Sequence, residues 1–235
     1  MSIIFHLLRH NIIMKKLLLL LLITLCLFCG CKNEINNSSS VEKKVEKVVY
    51  LTFDDGPSFV TNSILNTLDE FNVKATFFVV GKCVQAHPNI LKQIYNSGHS
   101  IGLHTYCHEY KKIYYDENSF KQDLIECCNA VKKVIPDYNG RIFRFAGGSF
   151  NLRQEYKDLV LSLGYTYYDW NASTLDAEGI IYSPSELCEN AVKTSKNKNK
   201  VILLAHDGGG KDNTAKALPY IIEYYINAGF TFKTL

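Results

Sequence analysis

Apolar residues recur along this chain in two alternating rhythms. Wholly apolar or period-two segments at Val48–Phe53, Ala75–Val80, His99–Leu103, Ile142–Phe145, Tyr165–Tyr168, Val201–Ala205 and Phe230–Phe232 read as strands. Between most of them the apolar positions fall three and four apart, the spacing of one helix face. Ile64, Leu65, Leu68 and Phe71 make one such face, Phe120, Leu124, Cys127, Cys128 and Val131 another, and Leu218, Ile221, Ile222 and Tyr225 a third ahead of Gly229. Pro88–Asn96 reads as a helix that Gly98 closes. This alternation predicts an α/β domain over 48–235 on a parallel sheet, open or closed into a barrel, with no internal repeat.

The first 31 residues follow a different pattern. Lys15 and Lys16 precede the apolar run Leu17–Phe28, which ends in Cys29-Gly30-Cys31 and turns polar at Lys32. The run is shorter than the roughly 20 residues that cross a bilayer, so it reads as a signal peptide over 1–31. Gly30-Cys31 resembles a bacterial lipoprotein box, although Phe28 and Cys29 depart from its usual small residues. Lipidation at Cys31 and anchoring on the outer face of the cell membrane are therefore expected, with ordinary secretion as the alternative. Residues 32–47 are polar, contain no aromatic and suit a solvated tether.

Charge narrows the partners. The 235 residues hold 26 bases and 23 acids, and the excess of three is Arg9, Lys15 and Lys16, all inside the leader. A body with zero net charge has no electrostatic footprint for nucleic acid. Outside the leader the cysteines are Cys83, Cys107, Cys127, Cys128 and Cys188, an odd number with no CxxC pair, which offers nothing to a zinc ribbon or a redox dithiol.

The titratable residues gather at the ends of the expected strands: Asp54-Asp55-Gly56 after the first, His104 and His108 after the third, and Arg144, Asp169 and His206 at later ones. In a parallel α/β domain those ends open onto one face, where ligands bind. Asp55, His104 and His108 offer one carboxylate and two imidazoles, a set that suits zinc or a related divalent ion such as cobalt or manganese. On a helical turn the HxxxH spacing would aim both imidazoles at one ion and turn Cys107 away. Asp54 is then free to accept a proton and His206 to donate one. Arg144 and Asp169 can pair with these groups and fix their orientation, or simply form a structural ion pair with each other.

These residues resemble the motif set of the polysaccharide deacetylase family, carbohydrate esterase family 4, over Val48–Leu235. Thr52-Phe53-Asp54-Asp55-Gly56-Pro57 is similar to the first motif, Gly98 through His108 to the second and Arg144-Phe145-Ala146-Gly147-Gly148 to the third. Asp169-Trp170 is similar to the fourth and Leu204-Ala205-His206 to the fifth. The resemblance implies a distorted, incomplete (β/α) barrel of parallel strands. It implies Asp54 as catalytic base, His206 as general acid, and Asp55, His104 and His108 as metal ligands. Arg144 and Asp169 would be orienting charge partners, Gly147 an oxyanion-binding backbone, and Trp170 and Leu204 walls of a substrate groove. The common third motif has proline and an aromatic where Ala146 and Gly147 stand, so the sugar subsite is expected to differ.

The implied activity is hydrolysis of an N-acetyl group on an amino-sugar polymer, with peptidoglycan N-acetylglucosamine the glycan that an exported, membrane-anchored enzyme meets. The alternatives are a catalytically weak glycan-binding lipoprotein and an amidohydrolase of the same fold acting on a non-sugar amide.

Overall fold

The computed structural model describes residues 45–235; the expected signal peptide, Cys31 and nearly all of the tether lie outside the described residues. In chain order the elements are β1 Val48–Asp54, α1 Phe59–Glu70, β2 Thr76–Val79, α2 Gly81–Ala86, α3 Pro88–Asn96, β3 Ser100–Leu103, α4 Tyr110–Ile113 and α5 Glu117–Val134. They continue with β4 Ile142–Phe143, α6 Gln154–Ser162, β5 Thr166–Tyr167, β6 Ala172–Ser173, α7 Pro184–Ser195, β7 Lys200–His206, α8 Asp212–Asn227 and β8 Thr231–Phe232. No helix among the described residues is long and apolar enough to cross a membrane.

Every strand pair is parallel, in the order β5-β4-β3-β2-β1-β7-β6, with β8 pairing the start of β1 at Val48 and Val49. The terminal strands β5 and β6 do not pair with each other, so the curled sheet is an incomplete barrel. β1 lies inside it, between β2 and β7. Its sequence VVYLTFD is apolar without alternation because both faces are covered, as a parallel strand between helices requires. Phe53 stacks on Phe77 of β2 with centroids 5.2 Å apart, and the expected α5 face is buried at Phe120, Leu124, Cys127 and Val131. Cys128 is only half-buried, and all five cysteines outside the leader are free thiols.

Helix starts are set locally. Ser58 caps α1 through a capping box with Thr61, Asp116 caps α5, and Ser183 with Glu186 forms a second box ahead of Pro184 in α7. The expected strands are present, mostly shorter by a residue or two at their ends. The two-residue β6 has no counterpart in the apolar pattern, because two residues cannot show a period.

Candidate active site

The tip of β1 carries the first two site residues. Asp54 ends the strand, Asp55 follows at φ 75°, and Gly56 precedes the N-cap of α1 by two residues. Gly56 is required by space: a Cβ there would lie 2.1 Å from Oδ2 of Asp207, which comes from the end of β7. Asp207 is buried and ties this turn together. Its amide donates to the Asp54 carbonyl at 3.0 Å, its carbonyl accepts from Ser58 Oγ at 2.6 Å, and its Oδ2 accepts from Thr61 Oγ1 at 2.6 Å. Burial, with Asp55 and Asp54 nearby, pushes the Asp207 carboxyl up to about 7.

His104 follows β3 and His108 four residues later, but the segment between them is a loop, not the expected helical turn. Thr105 and His108 take left-handed backbone angles of φ 67° and 54°. Asp123 of α5 holds the loop, accepting from the amides of Tyr106 at 2.6 Å and Cys107 at 3.0 Å. These contacts replace the helical hydrogen bonds and draw Cys107 toward α5, away from the histidines. His104 Nδ1 lies 2.8 Å from the Arg144 carbonyl, which can only accept, so Nδ1 carries the proton and Nε2 presents a lone pair. Burial, with His104 beside it, holds His108 below its ordinary range and therefore neutral.

The ligand atoms converge. His104 Nε2 is 3.5 Å and His108 Nε2 3.3 Å from Asp55 Oδ1, a buried oxygen with no hydrogen-bond partner, and all three atoms lie within 4.8 Å of one another. Metal–ligand bonds of about 2.0–2.2 Å at tetrahedral to octahedral angles set neighbouring donors about 3.0–3.5 Å apart, so the set fits a divalent cation. A buried, unpartnered carboxylate oxygen facing two imidazoles is otherwise costly.

Asp54 is oriented from the opposite side. Arg144, wholly buried just after β4, donates from Nη1 to Asp54 Oδ1 at 2.9 Å and to Thr52 Oγ1 at 2.8 Å, and from Nε to the Tyr168 carbonyl at 2.9 Å. Its guanidinium lies 4.1 Å from the centroid of Phe78. Burying a cation costs several kcal/mol unless its donors are matched, and here Asp54 is the matching charge. Asp169 is not, contrary to expectation: only its carbonyl approaches Arg144, at 3.4 Å from Nη2. Its carboxylate accepts from the Ser149 amide at 2.8 Å and from Ser149 Oγ, and so tethers the Ala146–Ser149 loop. The expected ion pair is absent because the amide and hydroxyl of Ser149 hold the Asp169 carboxylate instead.

Sequence reasoning missed the acid that partners His206. Asp176, three residues past β6, accepts from His206 Nδ1 at 2.7 Å, from the His206 amide at 2.9 Å and from Thr214 Oγ1 at 2.7 Å. Desolvation lowers the affinity of His206 for its proton, but the Asp176 hydrogen bond and charge, with Asp54 and Asp55, outweigh it and raise the imidazole to about 9. The same hydrogen bonds hold Asp176 below its ordinary value despite burial. The two-residue β6 that precedes it leaves no trace in the apolar pattern, so no strand end marked Asp176 in the sequence.

Asp54 and His206 are register partners at the tips of β1 and β7. With Asp55, His104, His108, Tyr110, Gly147, Trp170 and Leu204 they line a cavity of about 350 Å³. All expected site residues within the described part line it except Arg144 and Asp169, which support it from behind. One ionisable acid, one cationic imidazole and a three-ligand cation site around one cavity are the components of metal-assisted hydrolysis.

The polysaccharide deacetylase family model matches residues 42–168. A peptidoglycan-N-acetylglucosamine deacetylase of Bacillus cereus is 30% identical over 212 residues, covering 86% of this chain and 75% of that protein. A bifunctional xylanase/deacetylase of Pseudobutyrivibrio xylanivorans is 31% identical over 88% of this chain, which spans only 33% of that longer protein. A Streptococcus mutans CE4 esterase superposes with a TM-score of 0.77 at 29% identity, covering 81% of this chain and 86% of that one. The motifs, the incomplete barrel and these likenesses agree: this chain belongs to the polysaccharide deacetylase family.

Proposed function

We propose that the chain removes the acetyl group from N-acetylglucosamine in peptidoglycan, using zinc held by Asp55, His104 and His108. When bound there, the ion supplies Lewis-acid polarisation of the acetyl carbonyl and lowers the pKa of water. The observation that carries the reading is the division of labour at the paired strand tips: Asp54 is fixed through one oxygen by Arg144, and His206 is held as a cation by Asp176.

Arg144 occupies Asp54 Oδ1, which leaves Oδ2, 3.8 Å from His104 Nε2, to take the proton of the attacking water. As the water oxygen bonds to the acetyl carbon, the carbonyl oxygen gains charge that the N–H of Gly147, a residue of the cavity wall, would stabilise by donating a hydrogen bond, an interaction worth about 3–4 kcal/mol where it has been removed from other hydrolases. The C–N bond then breaks. His206, bound to Asp176 through Nδ1, donates its Nε2 proton to the leaving nitrogen, and the products are acetate and a free amine. Trp170 and Leu204 supply apolar wall for the acetyl methyl, and Asp169 holds the Gly147 loop through Ser149.

The signal peptide expected over residues 1–31 supports peptidoglycan as substrate, as do relatives named for that polymer. In this reading residues 1–31 are a lipoprotein signal with Cys31 the lipidated residue, 32–47 a tether, and 48–235 the catalytic domain. The test is acetate release from purified peptidoglycan and from chitooligosaccharides, before and after chelation. Activity that is lost on chelation and restored by zinc supports the reading; release of no acetate from any glycan refutes it.

A further inference from the structure

A cavity of about 350 Å³ is small among ligand pockets, which run from about 300 to 1,000 Å³, and has room for one acetylated sugar ring but not for a run of them. The neighbouring units of a polymer must therefore rest on surface outside it. Beside the cavity two consecutive glycines, Gly147 and Gly148, take left-handed angles of φ 78° and 81°. A Cβ on Gly147 would lie 3.0 Å from the Tyr110 ring, and one on Gly148 would lie 2.9 Å from Phe150 and 3.0 Å from Trp170. Without side chains of their own, both residues let aromatic rings settle on the loop backbone.

Tyr110 and Trp170 line the cavity. Phe150 does not. Its ring meets Trp170 edge-on, with centroids 5.5 Å apart and an interplanar angle of 84°. It is nevertheless 61% exposed. One exposed phenylalanine is unremarkable in itself, but this one is braced against a ring of the catalytic cavity by a loop that Asp169 fixes through Ser149. An exposed aromatic ring packed against a wall residue of a sugar-sized cavity is complementary to the C–H face of a pyranose.

We propose that Phe150, braced by Trp170, is the platform of a second sugar subsite, which seats the pyranose adjoining the one whose N-acetyl group occupies the cavity. This rests on the deacetylase function proposed above and deepens it: the enzyme reads an oligomer, and Tyr110 and Phe150 supply rings beside the position where the third motif lacks its aromatic.

The test compares wild type, Phe150→Ala and Phe150→Trp on a tetramer of β-1,4-linked N-acetylglucosamine and on 4-nitrophenyl acetate, an acetyl donor with no sugar. Phe150→Ala lowers kcat/KM on the tetramer about tenfold more than on the small ester, chiefly through KM, as loss of an aromatic contact predicts. Phe150→Trp recovers most of that difference. An equal loss on both substrates, or no loss on the tetramer, overturns the subsite alone. A wild-type protein that cleaves the ester but no glycan overturns the deacetylase function and the subsite with it.

Discussion

His206 Nδ1 and Asp176 Oδ1 stand 2.7 Å apart, and Asp176 also accepts from the His206 backbone amide, so one carboxylate fixes both the ring and the chain at the tip of β7. The pair keeps His206 protonated at neutral pH, the state in which it can donate to a leaving amine.

Replacing Asp176 by Asn removes the charge but keeps the shape. The His206 pKa, raised to about 9, then falls toward its ordinary value near 6.5, and the alkaline limb of the rate profile moves with it. The linkage has a definite sign. Because the folded-state pKa is raised, the stabilisation is complete below about 6.5 and is lost as pH rises through about 9. Asp176→Asn therefore flattens stability across that window, which thermal melts from pH 6 to 10 measure.

Arg144 and Asp169 are both motif residues, yet the structure gives them separate tasks. Arg144→Met leaves Asp54 buried without its partner and costs about 3–5 kcal/mol of stability, read from denaturant midpoints. Asp169→Asn spares that pair and loosens Ser149; turnover falls while bound metal and the Arg144 contacts are kept. Equal loss of stability in the two variants would contradict the assignment.

Gly56 and Asp207 can be tested as a couple. Gly56→Ala forces a Cβ against the Asp207 carboxylate and costs about 1–3 kcal/mol, as overpacking does. In an Asp207→Ser background that cost shrinks, since the obstructing atoms are gone. A double-mutant cycle on melting stability measures the coupling, and additive costs would show that the two residues do not compete for the same space.

Anchoring is testable apart from catalysis. With Cys31→Ala, fatty-acid labelling is lost and the protein moves from membrane to medium or stalls uncleaved. Equal labelling of mutant and wild type would exclude lipidation at Cys31.

Much of the site was legible because it is built from strand ends. Asp54, His104 and His206 each follow a segment that reads as a strand, and a parallel sheet brings such ends together whatever the loops do. What escaped lies in the loops. The path from His104 to His108 is set by Asp123, a residue of another element, so spacing alone suggested a helical turn where there is none. Asp176 escaped because the two-residue strand before it, β6, carries no period to detect. The seating of Tyr110 on Gly147 is likewise a tertiary contact that the sequence records only as a glycine.

The central claim is that Asp54 moves a proton while its neighbour Asp55 holds the metal. Asp54→Asn keeps size and polarity but removes basicity. Measured together on one preparation, zinc content and acetate release from peptidoglycan decide the matter. The expected result is zinc retained at wild-type stoichiometry with turnover reduced about 10²–10⁴-fold, the range for loss of general-base assistance. Turnover near wild type, or zinc lost together with activity, would contradict the account.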